Sequence, residues 1–120
     1  MNESILIVED NTDILNFLSE ALVLSGYRVY SAFNGIDGYE KALGLKPDLV
    51  LMDYQLPVMD GTTSMKKIKE CCPQIKVAVI TACSAVSDEN IFLKQGFDGY
   101  LKKPVSLADF NTWIRKLLTD

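Results

Sequence analysis

The sequence predicts an α/β fold: a doubly wound parallel sheet of five strands with five helices on both faces. Three observations predict it. Short aliphatic runs alternate with longer stretches whose apolar residues recur at helical spacing. The main runs are continuously apolar, as in strands covered on both sides. No linker, repeat or low-complexity segment interrupts the alternation over 120 residues, and at about 100–200 residues per core that length defaults to one domain.

The elements follow in order. Ile5-Leu6-Ile7-Val8 is a buried strand ended by charge. Asp10-Asn11-Thr12-Asp13 is a cluster of helix-capping types, after which Ile14, Phe17, Leu18, Ala21 and Leu22 mark a helix stopped by Gly26. Arg28 to Ala32 is a second strand, Asn34-Gly35 a turn, and Ile36, Tyr39 and Leu43 the face of a second helix running to Lys46-Pro47. Leu49-Val50-Leu51-Met52 is a third strand ending at Asp53, followed by a loop with Pro57 and Asp60-Gly61. Met65, Ile68 and Cys72 mark a helix halted by Pro73. Val77 to Ile80 is a fourth strand ending at Thr81. A weaker helix spans Ser87 to Lys94, with Ser87 or Asp88 as its cap and Gly96 after it. Gly99 to Lys102 is the last strand, Lys103-Pro104 breaks it, and Leu107, Phe110, Ile114 and Leu117 stripe a final helix, with Trp113 beside the stripe.

Composition narrows the chemistry. Twelve Lys and Arg stand against 16 Asp and Glu, a net charge of −4, which does not suit a basic nucleic-acid footprint. The chain has no His, so a His triad, a His general base, a His metal ligand and a phosphohistidine relay within the chain are excluded. Three Cys, two of them adjacent, give neither a disulfide framework nor a zinc spacing, and read as reduced thiols. Cys83, at the rim after Thr81, has no cationic activator beside it in sequence. No apolar run approaches the ~18 residues of a membrane span, and the N-terminus lacks a signal-peptide pattern, so a cytoplasmic protein is expected.

In an open parallel sheet, ligands bind beyond the carboxyl ends of the strands, near the point where strand order reverses. Those ends carry Glu9 and Asp10, Asp53, Thr81 and Lys103. Each alone has a plainer role, Asp10 as a helix cap, Asp53 as a loop carboxylate, Thr81 as a β-branched strand end, Lys103 as a solvated charge. Together they supply an oxygen-rich metal site, a nucleophile, a hydroxyl donor and a cation. Three carboxylates in one crevice repel unless a cation sits among them, and without His or paired Cys the donor set favours Mg²⁺ or Mn²⁺ over zinc. Such convergence points to phosphoryl chemistry.

With those residues in place the chain resembles the receiver domain of two-component response regulators. Glu9-Asp10 is similar to that family's metal-binding acidic pair, and Leu51 to Gly61 to the segment around its phosphoacceptor. Ile80-Thr81-Ala82 matches the hydroxyl position, and Tyr100 to Pro104 the segment with the invariant Lys. The resemblance covers the whole chain, with the motifs in order and at family-like spacing. It implies a flavodoxin-like sheet of order 2-1-3-4-5 and one receiver domain over residues 1–120, with no output domain in this chain. It implies Asp53 as phosphoacceptor, fed by a sensor histidine kinase or a phosphotransfer protein. Mg²⁺ would be held by Glu9, Asp10, Asp53 and the main-chain carbonyl of Gln55. Phosphoryl oxygens would be held by Lys103, Thr81 and the backbone N–H of Ala82. It also implies a cis Lys103-Pro104 bond, a switch coupling Thr81 to Tyr100, and a responsive face of fourth helix, fifth strand and fifth helix that controls an output domain or target. A phosphorylation-dependent homodimer fits that scheme; direct nucleic-acid or membrane binding does not. Such a domain is a signalling module catalysing only its own phosphorylation and dephosphorylation. Gln55, two residues after Asp53, has two readings of equal weight: it orients an attacking water and tunes loss of the phosphoryl group, or it points to solvent.

Departures from the family pattern are small: Glu9 stands where Asp is common, Val105 where an aromatic is frequent, and Phe97 where a small residue is frequent. The last two fall near the output face and bear on partner identity. Three other readings compete. A small aspartyl-phosphate phosphatase needs a second Asp two positions after the nucleophile, where this chain has Gln55, and a cap domain. A flavin-binding electron carrier needs a Ser/Thr/Gly-rich phosphate loop after the first strand, where Glu9-Asp10-Asn11 would repel phosphate. A receiver-like module that binds partners without phosphorylation would not need the complete residue set.

Overall fold

A computed structural model of the chain describes residues 3–81, 89–102 and 106–119. Five strands, β1 (Ser4–Val8), β2 (Arg28–Ala32), β3 (Leu49–Asp53), β4 (Lys76–Thr81) and β5 (Gly99–Lys102), alternate with five helices, α1 (Thr12–Leu24), α2 (Gly35–Leu45), α3 (Gly61–Cys71), α4 (Glu89–Gln95) and α5 (Leu107–Thr119). The strands form one parallel sheet of order β2-β1-β3-β4-β5. The predicted fold class and strand order are those observed.

Strand residues alternate between two apolar layers. Ile5, Ile7, Leu49, Leu51, Ala78 and Ile80 face α1 and α5, where they meet Leu18, Leu22, Phe110 and Ile114. Leu6, Val8, Val50, Met52, Val77 and Val79 face the opposite layer, with Ala42, Met65, Ile68 and Phe92 from α2, α3 and α4. Burial on both sides is why β1 and β3 read as unbroken aliphatic runs.

Three helical faces differ from expectation. On α1 the buried residues are Leu15, Leu18, Ala21 and Leu22, while Phe17 is half exposed. Phe17 lies about 100° round the helix from Leu18, on the flank of the buried stripe. On α2 the buried residues are Gly35, Gly38 and Ala42, and Ile36 turns outward. A Cβ at residue 38 would meet Val8 Cγ2 at 2.8 Å, so this helix approaches β1 through small residues and its bulky ones go to the sides. On α5, Leu107 is exposed, whereas Phe110, Ile114 and Leu117 are buried as predicted. Trp113 packs partly against that layer. Phe97, expected near the output face, is a core residue, 3% exposed and edge-on to Phe92.

Candidate functional site

The site is built where the strand order reverses. The chain leaves β1 for β2 on one side and returns as β3 on the other. β1 and β3 pair in register, Val8 opposite Met52, so the residues one step further, Glu9 and Asp53, leave the sheet at the same level. Main-chain bonds extend this order past the strand ends. Glu9 N donates to Ala32 O at 3.0 Å and Tyr54 N to Ile80 O at 3.2 Å.

Glu9, Asp10 and Asp53 converge as the sequence predicts. One carboxylate oxygen from each lies within 4.8 Å of the others. Glu9 is 3% exposed, Asp53 is half-buried and Asp10 is exposed, so the cluster is a buried acid at the back of an open mouth. Asn11 resolves the capping ambiguity. Its Oδ1 accepts from Ile14 N at 3.0 Å, so Asn11 caps α1 and Asp10 is left to face the site. The backbone N–H of Asn11 also donates to Glu9 Oε2 at 3.2 Å, which orients that carboxylate.

The β3–α3 loop folds back on Asp53: Gln55 N donates to Asp53 Oδ1 at 3.3 Å. Asp60 then caps α3, its Oδ1 accepting from Thr63 N at 2.7 Å. Thr81 closes β4, is 1% exposed, and pairs in register with Lys102, the residue before Lys103. Tyr100 lies half-buried in β5 with its ring stacked on Phe92, centroids 5.0 Å apart and planes 12° apart. Phe92 also meets Tyr54 edge-on at 5.0 Å, so an aromatic row links the residue beside Asp53 to Tyr100. Ala82, Cys83, the Ser87 and Asp88 caps, Lys103, the Lys103–Pro104 bond and Val105 lie outside the described residues.

The donor set fits a hard divalent ion. It is all oxygen, three carboxylates close enough to share one cation, with neither His nor Cys among them. Sequence reasoning missed the residues that shape the β3–α3 loop, namely Gly35, Ser64 and Val58. Asn34-Gly35 looked only like a turn, and a buried serine in a helix gives no periodic signal.

Comparison with known proteins places this geometry. A family model for the response regulator receiver domain matches residues 5–115. The transcriptional regulatory protein PrrA of Mycobacterium tuberculosis is 33% identical over 114 residues, 95% of this chain and 49% of PrrA. The polar-differentiation response regulator DivK of Brucella anthropi is 33% identical over 122 residues, 100% of this chain and 99% of DivK. The chain thus spans about half the length of PrrA and nearly all of DivK. Among solved structures, a CheY-like response regulator receiver domain protein from Methanospirillum hungatei superposes with a TM-score of 0.91 at 31% identity, covering 99% of this chain and 95% of that one. The receiver domain of sensor histidine kinase PA1611 from Pseudomonas aeruginosa has a TM-score of 0.88 at 28% identity, with 100% of each chain covered, and holds a magnesium ion in its active-site cleft. Among the described residues no helix is long and apolar enough to cross a membrane. An acidic crevice at the switch point of a 2-1-3-4-5 sheet and a family match over nearly the whole chain agree: this protein belongs to the response regulator receiver domains, the signalling domains of two-component systems.

Proposed function

We propose that Asp53 accepts a phosphoryl group from a histidine kinase or a phosphotransfer protein, and that the modified domain signals through the face formed by α4, β5 and α5. The observation that carries this reading is the meeting of the Glu9, Asp10 and Asp53 oxygens within 4.8 Å at the sheet's switch point. A carboxylate oxygen of Asp53 attacks phosphorus; the bond from phosphorus to the donor's imidazole nitrogen breaks, and the electron pair leaves with the imidazole. The product is an acyl phosphate.

Glu9, Asp10, Asp53 and the Gln55 carbonyl would hold Mg²⁺, and Mn²⁺ suits the same oxygens. When bound, the ion supplies positive charge to the phosphoryl oxygens. Lys103 holds a second phosphoryl oxygen as a point charge, and the Thr81 hydroxyl and Ala82 N–H hold a third. Thr81 then shifts toward the phosphoryl group and Tyr100 responds, with Thr81 buried at the end of β4 and Tyr100 stacked on Phe92 in support. Residues 1–120 act as one receiver domain working in the cytoplasm, and the greater length of PrrA-like relatives suits control of an output domain. The phosphorylated domain pairs with a second copy or with a target protein. The exposed Gln55 side chain, two residues after Asp53, tunes loss of the phosphoryl group by orienting an attacking water.

Incubation with acetyl phosphate and Mg²⁺ is expected to label the wild-type chain once and to leave Asp53→Asn unlabelled. Equal labelling of that variant would overturn the assignment.

A further inference from the structure

The β3–α3 loop is held in an uncommon shape. Val58 has φ 70°, a sign of backbone torsion that a β-branched residue rarely adopts. Met59 N donates to Pro57 O at 2.7 Å, so Val58 is the centre of a three-residue turn of the strained, positive-φ kind. Such a conformation persists only where its surroundings over-determine it.

The surroundings are α2 and α3. A Cβ on residue 35 would stand 2.1 Å from the Met59 carbonyl oxygen, so that carbonyl lies directly against the Gly35 backbone. Gly35 is fixed from both sides. Asn34 caps α2 by accepting from Asp37 N at 2.8 Å. Ser64 of α3, with no exposed surface, donates its hydroxyl to Gly35 O at 2.8 Å. At the other end of the loop, a Cβ on residue 61 would stand 2.5 Å from Asp53 O, and Gly61 N donates to Tyr54 O at 3.3 Å. The loop is therefore pressed between the first turn of α2 and the first turn of α3.

We infer that Gly35 and Ser64 are positioning residues for the metal site: they clamp the strained β3–α3 loop and so set where the Gln55 carbonyl stands relative to Asp53. The inference rests on the Mg²⁺ reading given above. Outer partners that orient metal ligands contribute about tenfold or more to affinity, and Ser64 and Gly35 act one step further out, through the loop backbone.

The test is calorimetric titration of the full chain with MgCl₂, run well below the melting temperature. The wild-type chain is expected to bind one Mg²⁺, Ser64→Ala to bind it about tenfold more weakly while keeping its circular dichroism spectrum, and Gly35→Ala to bind it more weakly still. A serine with only a structural role would lower the melting temperature and leave the dissociation constant of the folded protein unchanged. A folded Ser64→Ala that binds Mg²⁺ as the wild type does would overturn the clamp while leaving the metal site intact. If Gly35→Ala does not fold, Ser64→Ala decides alone. A wild-type chain that takes up no Mg²⁺ would overturn the metal reading and the clamp with it.

Discussion

At Val58 the backbone carries a cost that the side chain does nothing to offset, since the residue is 76% exposed. Strain of this kind is worth about 1–3 kcal/mol, and glycine adopts positive φ freely at an entropic cost of about 0.5–1 kcal/mol. Val58→Gly is therefore predicted to stabilise the protein by about 1 kcal/mol in urea titrations; a clear loss of stability would contradict the strain argument. Asn11 shows how much a single cap settles. Its side chain holds Ile14 N, so Asn11→Ala should lower stability by about 1 kcal/mol, whereas Asp10→Ala should not lower it. The sequence offers four adjacent capping types at residues 10–13 and no means of ranking them. The choice is made by geometry, because Asp10 follows Glu9 out of β1 and turns toward Asp53.

At the scale of the element, the strands were the most legible feature. Arg28–Ala32 and Gly99–Lys102 are as predicted, and the other three strands extend by one residue at one or both ends. Continuous aliphatic runs declare a strand covered on both faces without reference to anything distant. Helix faces were less legible, because periodicity follows bulky residues and α2 packs through Gly35, Gly38 and Ala42. Close approach of a helix to a sheet selects for lack of volume, which a hydrophobic pattern does not register. The α4 helix was predicted weak, yet it carries Phe92, fully buried and in contact with Tyr54, Phe97 and Tyr100. Phe92→Ala should cost about 3–5 kcal/mol of stability, the usual range for a buried phenylalanine, and should speed hydrogen exchange in α4 ahead of α1 and α5. Uniform loss of protection across all helices would argue that the aromatic row has no local role.

For the whole molecule, the convergence of carboxylates was legible because parallel topology sends every strand's carboxyl end to one edge. The shape of the β3–α3 loop was not, since it depends on contacts that Gly35 makes with Met59 and Ser64, each more than 20 positions away in sequence. Gathering three acids within 4.8 Å also has a global consequence. Their mutual repulsion opposes folding when no cation is present. Asp10→Asn should therefore raise stability in EDTA by about 1 kcal/mol at low salt. The wild type should recover that difference in Mg²⁺, since a ligand bound only by the folded state stabilises it by about 2.7 kcal/mol at one hundred times its dissociation constant. A variant less stable than the wild type in EDTA would show that Asp10 serves the fold rather than the site.

The central claim is the proposal that Asp53 is the phosphoacceptor residue, and chemical trapping tests it most directly. Hydride reduction of an acyl phosphate converts the modified aspartate to homoserine, which peptide mass spectrometry locates by position. After reaction with acetyl phosphate and Mg²⁺, homoserine is predicted at position 53. Homoserine at position 10, or none at any position, would contradict the account.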